Sequence, residues 1–257
     1  MNTHVRSRSA QAALAAMAGL ALAGCGTAAT TSGPSSAAAT SGSAATPTTS
    51  SGSGTVISAA SLPFPVAVGN TWVYASSVPS VGTASTVTDK ILAVAPTAGG
   101  SQVTESYHDS LSSSTTHSVY IFHSDGSITF PLNQVSGGTL TTSGGILLPD
   151  AAAIASGRPY KSVLGITFKE TGQQVHETAH ITVQGAGTAT VTVPAGTYQA
   201  TIVDMTMAWN VSAVTVTMQI RDWVANGTGT VKSEASIHEG VINEIVSTEE
   251  LTSFTKG

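Results

Sequence analysis

Cysteine is almost absent from this chain: Cys25 is the only one in 257 residues. Without a second thiol there is no internal disulfide and no cysteine-based metal site, so stability must come from the core alone. No apolar run of membrane-spanning length stands out either. The stretch from Ala12 to Ala23 has 12 residues, whereas a spanning helix needs about 20. Basic residues are few, nine Lys and Arg against 14 Asp and Glu, which argues against nucleic acid or anionic headgroups as partners. The G-x-S-x-G nucleophile turn and the phosphate loop are missing. Gly185-Ala186-Gly187 lacks the third glycine of a dinucleotide fingerprint. No internal repeat is visible.

What is present begins with a three-zone N-terminus. Arg6 and Arg8 precede the apolar run, and Leu22-Ala23-Gly24-Cys25 follows it. Positive, apolar and small-residue zones in that order mark an export signal. The last four residues resemble the lipobox of bacterial lipoproteins. The resemblance implies a diacylglyceryl thioether on Cys25, cleavage just before it, and a signal peptide over residues 1–24. Two or more acyl chains on one residue would anchor the protein stably on the outer side of a cell membrane. The chain from Cys25 onward carries seven basic and 14 acidic residues, a net charge of −7.

Residues 26–60 are almost wholly Gly, Ala, Ser, Thr and Pro, a composition that cannot offset its ordering entropy by burial. We expect residues 25–60 to be a disordered tether, with an end-to-end distance on the order of 33 Å. The same bias points to a GC-rich genome of the actinobacterial kind. From residue 61 to 257 the pattern turns to period two. Val214, Val216, Met218 and Ile220 alternate with polar neighbours, as do Ala189, Val191 and Val193, and Val231, Ser233, Ala235 and Ile237. These are strands with one face inward and one toward water. Asp125-Gly126, Pro194-Ala195-Gly196 and Asn226-Gly227 supply turns, so adjacent strands pair antiparallel. Pro149 to Ala155 could open one short helix before Gly157, and Ser136 to Gly145 reads as a loop. The expectation is an all-β domain of roughly ten strands. Residues 198–209 are apolar on both faces, which requires cover on both: a second sheet, the helix or a bound apolar ligand.

His176-Glu177-Thr178-Ala179-His180 matches the H-E-x-x-H pattern of zinc proteases. That pattern works on a helix, where one turn brings both histidines to the metal and the glutamate to its water. Here Val175, Glu177, Ala179, Ile181 and Val183 alternate with His176, Thr178, His180 and Thr182, which is a strand pattern. On a strand the two histidine Cα atoms lie about 13 Å apart, too far for parallel side chains to share one zinc. A zinc hydrolase through His176, Glu177 and His180 is therefore the weaker alternative. No cofactor is expected.

Three further segments together resemble a group of bacterial secreted proteins and lipoproteins of unknown function. They are Phe64-Pro65 followed by Gly69-Asn70-Thr71-Trp72-Val73-Tyr74, then Val193-Pro194-Ala195-Gly196-Thr197-Tyr198, and Trp223-Val224-Ala225-Asn226-Gly227-Thr228-Gly229-Thr230-Val231-Lys232. Thr228 stands where that group usually has an aliphatic residue, and Tyr198 where Phe is common. The resemblance implies a single antiparallel, strongly curved sheet, a half-barrel or open barrel like those of envelope lipoprotein carriers. Trp72, Tyr74, Gly196, Trp223, Gly227 and Gly229 read as marks of the fold: large anchors and turn glycines. The favoured function is a non-enzymatic, membrane-tethered domain that binds an apolar small molecule or an envelope protein. It carries the expectation of an apolar groove with no clustered titratable residues. A ligand-free structural envelope protein is the other alternative.

Overall fold

β-branched and aromatic residues at alternating positions build nearly everything from Thr71 onward as strand. In a computed structural model, residues 64–257 are described, apart from 80–81, 112–114, 132–135, 138–139, 144, 171–172, 212–213 and 240–241. Cys25, the signal segment and the tether lie outside the described residues. No helix among those described is long and apolar enough to cross a membrane.

The first hairpins are β1 (Thr71–Val78), β2 (Thr83–Thr97), β3 (Gly100–Asp109), β4 (Thr115–His123) and β5 (Ile128–Pro131). Three short strands follow: β6 (Ser136–Gly137), β7 (Leu140–Ser143) and β8 (Gly145–Leu148). After helix α1 (Ala151–Ala155) come β9 (Tyr160–Glu170), β10 (Gln173–Val193) and β11 (Gly196–Val211). The last three are β12 (Val214–Ala225), β13 (Gly229–Glu239) and β14 (Ile242–Thr255). All belong to one sheet in the order β6-β7-β9-β10-β11-β12-β13-β14-β1-β2-β3-β4-β5-β8, and neighbouring strands run antiparallel. The chain starts in the middle of the sheet, because β1 pairs with β14 on one side and β2 on the other. At the far end β8 comes back beside β9, so the sheet curls into a nearly closed barrel.

This is the expected curved antiparallel sheet, with two differences. Among the described residues the strands number fourteen instead of roughly ten, and the stretch read as a loop, Ser136 to Gly145, contains β6, β7 and the first residue of β8. Its Gly/Ser/Thr composition hid strands whose pairing comes from neighbours: β7 lies on β9, and β8 on β5. The helix starts where capping chemistry places it. Asp150 is the N-cap and its Oδ1 accepts from Ala153 N at 2.8 Å, satisfying a free donor of the first turn.

Register shifts at Val73/Tyr74, Ile91/Ala93, Gly185/Thr188, Trp223/Val224 and Ala235/Ser236 bend the strands. A bulge of this kind raises local twist and curvature. Inside the curl lie two apolar clusters. One gathers Leu164, Ile181, Met207, Met218 and Ile220 from β9 to β12. The other gathers Trp72, Tyr74, Val87, Val103 and Phe122 from β1 to β4, with Leu251 of β14. The two apolar faces of residues 198–209 follow from this division. Ala200 packs in the second cluster, whereas Val203, Met205, Met207 and Trp209 pack in the first. The turn after β10 reaches across to β14, where Ala195 N donates to Leu251 O at 2.9 Å.

Candidate functional site

The motif residues at the start of the domain clamp the turn between β12 and β13. Trp72 Nε1 donates to Thr228 O at 2.6 Å and the Tyr74 hydroxyl to Thr230 O at 3.0 Å. Trp72 also stacks on Phe254, with centroids 5.1 Å apart. Gly229 sits between these groups with φ +93°, and a Cβ there would come within 3.0 Å of the Phe64 ring. Only glycine suits that conformation and that space. Buried Asn70 donates to Pro65 O and accepts from Gly257 N, tying both ends of the domain together. Trp223 lies elsewhere, partly buried beneath Lys232, whose Nζ is 5.2 Å from the ring centroid. So two of the segments singled out in the sequence meet at one corner, joined by hydrogen bonds from the Trp72 and Tyr74 side chains to backbone carbonyls.

Beside this corner, within the curl of the sheet, is a partly open cavity of about 160 Å³. Phe64, Trp72, Tyr74, Tyr120, Phe122 and Phe130 give it an aromatic wall, and Ile91, Val103, Ile128 and Leu148 extend the apolar surface. Four carboxylates face the same space: Asp89 from β2, Glu105 from β3, Asp222 from β12 and Glu249 from β14. Each stands at an inward position of its strand. Asp89 lies two residues from both Val87 and Ile91, Asp222 follows Met218 and Ile220, and Glu249 precedes Leu251. The expectation of no clustered titratable groups is thereby overturned. Apolar alternation does not single out these carboxylates, because an acid on an inward position interrupts the pattern it shares a face with.

Burial decides the state of these acids. It pushes Glu249 up to about 8, aided by the charge of Asp222, with Ser76 pulling partly back. It raises Glu105 to about 7, against the hydrogen bond that the Tyr120 hydroxyl donates to Glu105 Oε2. It raises Asp222 to about 6, offset in part by Ser233. Asp89 is held well above the carboxylate range by burial, then by Glu105 and Glu249. Tyr74 is likewise raised by burial and by all four carboxylates, so it stands among them. Among the described residues no Lys, Arg or His lines the cavity to neutralise them. One buried acceptor, Asp89 Oδ1, has no hydrogen-bond partner, a costly arrangement for a desolvated polar atom.

His176 and His180 lie on β10, paired in register with Thr167 and Val163 of β9. Both are exposed, on the opposite side of the sheet from buried Ala179 and Ile181. The H-E-x-x-H segment is thus strand, as its alternation indicates. Glu177 shares the strand, in register with Ile166. Among the described residues no three His, Cys, Asp or Glu side chains converge as metal ligands.

Comparison with known proteins supports the fold. The sequence model of a family described as DUF3108-like matches residues 164–251. A search of curated proteins finds no match. Among solved structures, one from Parabacteroides distasonis, described as that of a lipoprotein, is 18% identical with a TM-score of 0.54. It is covered over 99% of its length and 76% of this chain. An exported protein of Bacteroides fragilis with a YmcC-like fold is 19% identical, with a TM-score of 0.49, covering 75% of this chain and 98% of its own. The lipoprotein YmcC of Escherichia coli is 11% identical, with a TM-score of 0.38, covering 74% of this chain and 86% of its own. At 18% identity the likeness to the Parabacteroides distasonis protein is one of fold.

Proposed function

We propose that this chain is an extracytoplasmic lipoprotein, held to a membrane by lipid on Cys25, whose β-domain binds a small molecule with an apolar body. The observation that carries the binding reading is the cavity inside the curled sheet, with six aromatic side chains in its wall. Ligand sites are typically concave and mostly apolar, with a few convergent polar groups. Size narrows the occupant. An engineered apolar cavity of about 150 Å³ in another protein takes up benzene, so about 160 Å³ suits a group of that scale and not a diacyl lipid. The lipobox resemblance at Leu22 to Cys25 supports the anchor.

Two measurements test this. Metabolic labelling with a radioactive fatty acid should mark the wild-type chain and not Cys25→Ser; label on the variant would overturn the anchor. Calorimetric titration of the purified chain with benzyl alcohol, benzylammonium and benzoate should show saturable binding of at least one. Saturable binding should vanish in Val103→Trp, which fills the cavity. Absence of binding by all three in the wild type would overturn the binding reading.

A further inference from the structure

We propose that the ligand is an organic cation, a primary ammonium carried on an apolar group of about the size of a benzene ring. This rests on the binding reading above and names the chemistry of the same cavity.

Three independent features of the cavity lead there. The first is a set of acidic groups without a basic partner. Asp89, Glu105, Asp222 and Glu249 come from four different strands and face one space that no basic residue lines among those described. Burying acids together costs free energy unless something compensates them. An arrangement of this kind serves recognition better than it serves packing. The second is the unpartnered Asp89 Oδ1, buried at the cavity wall and accepting nothing. It calls for an N–H or O–H donor on the occupant, which favours a primary ammonium over a quaternary one. The third is the aromatic wall. Trp72, Phe122 and Phe130 present rings to the same volume, and a desolvated cation is attracted to aromatic faces. Phe64 and Ile91 leave room for the apolar body of the molecule.

A bare metal ion fits less well. Among the described residues no three acids converge on a common point as ligands, and hard cations need six or more oxygens around them. Much of the wall here is hydrocarbon and aromatic ring, which offers such an ion nothing.

Binding should be linked to protons. The titratable groups around the site are Tyr74 on β1, Asp89 on β2, Glu105 and Asp109 on β3, Tyr120 on β4, Asp222 on β12 and Glu249 on β14; β13 contributes Thr230 and Ser233. In the empty cavity burial keeps Glu249 protonated near neutrality and shifts Asp89 toward its protonated form. An entering ammonium stabilises their ionised forms, so protons leave as it binds and affinity rises with pH.

The experiment is calorimetry on the full chain in detergent, with benzylammonium, benzyl alcohol and benzoate as probes of matched size. At about pH 8 we expect benzylammonium to bind at least about tenfold tighter than benzyl alcohol, and benzoate to bind most weakly. Repeating the titration in buffers of different ionisation enthalpy should reveal proton release, and affinity should increase between about pH 6 and pH 8. Asp89→Asn and Glu249→Gln should each weaken benzylammonium severalfold and weaken benzyl alcohol by a smaller factor. Millimolar Ca²⁺ should not compete. Equal or tighter binding of benzyl alcohol, affinity for the cation that is flat or falls with pH, or displacement by Ca²⁺ would overturn the cation assignment while leaving a ligand site in place. Failure of all three probes would overturn the binding reading itself.

Discussion

Raising the pH from about 5 to about 8 should destabilise this fold, and Glu249→Gln should recover much of the loss. A carboxyl whose value is raised by folding binds an extra proton in the folded state between its ordinary value and its raised one. Stability therefore falls as pH rises through that window, by about 1.4 kcal/mol per pH unit for each such group. Glu249 moves from 4.5 to about 8, which sets an upper bound of about 5 kcal/mol at alkaline pH. Glu105, at about 7, and Asp222, at about 6, act in the same sense over narrower ranges. The three at full weight would consume most of the 5–15 kcal/mol that holds a typical domain together. Water entering the open side of the cavity relieves part of that burden as the acids ionise, leaving a net loss of about 3 kcal/mol between pH 5 and pH 8. For a domain of this size that lowers Tm by about 6–12 °C. Thermal melts by circular dichroism across the pH series measure it directly. Glutamine keeps the shape without the charge, so Glu249→Gln should melt about 4–8 °C above wild type near pH 8 and close to it near pH 5. A wild-type Tm that holds level or climbs from pH 5 to pH 8, or a glutamine variant that melts below wild type at pH 8, would refute the reasoning.

The remaining predictions concern the clamp, the motif and the anchor. Trp72→Phe should lose about 1–2 kcal/mol in urea unfolding, because Thr228 O is left without the indole donor it now accepts from. Gly229→Ala should cost more than about 1 kcal/mol, since φ +93° and the nearby Phe64 ring both resist a Cβ; an unchanged unfolding midpoint would count against the clamp. His176→Ala should leave bound metal, measured by elemental analysis, equal to wild type, because His176 and His180 are separated along a strand. In cell fractionation, Cys25→Ser should shift the protein from the membrane to the soluble fraction.

Much of the architecture was legible from alternation. Val216, Met218 and Ile220 read as one inward face and lie together in the first cluster, and Asp125-Gly126 and Asn226-Gly227 read as turns and are turns, with positive φ at both glycines. The strands at Ser136 to Gly145 were not legible, since Gly, Ser and Thr carry no local pattern and those strands are held by partners in β5 and β9. The cavity was half legible. Trp72 and Tyr74 were recognisable as anchors, but their second role as cavity wall depends on β1 lying next to β2 and β14. The carboxylates were present in the pattern all along. Following Val216, Met218 and Ile220 by one more step of two arrives at Asp222, and the same step back from Leu251 arrives at Glu249. What no local pattern reveals is that these acids, with Asp89 and Glu105, line one cavity, because that shared lining is a property of the curled sheet.

The pairing of β1 with β14 also sets a schedule for folding. The register joins Thr71 to Thr255, so the first strand of the domain waits for the last. Contacts this distant along the chain are slow to form. A sheet whose central pair joins its first strand to its last cannot complete itself while that last strand is still being made. The chain thus stays incompletely folded until it is whole, the state in which a protein can be threaded across a membrane. The cavity, which needs Glu249 of β14 as much as Asp89 of β2, comes into being only once that last strand is in place.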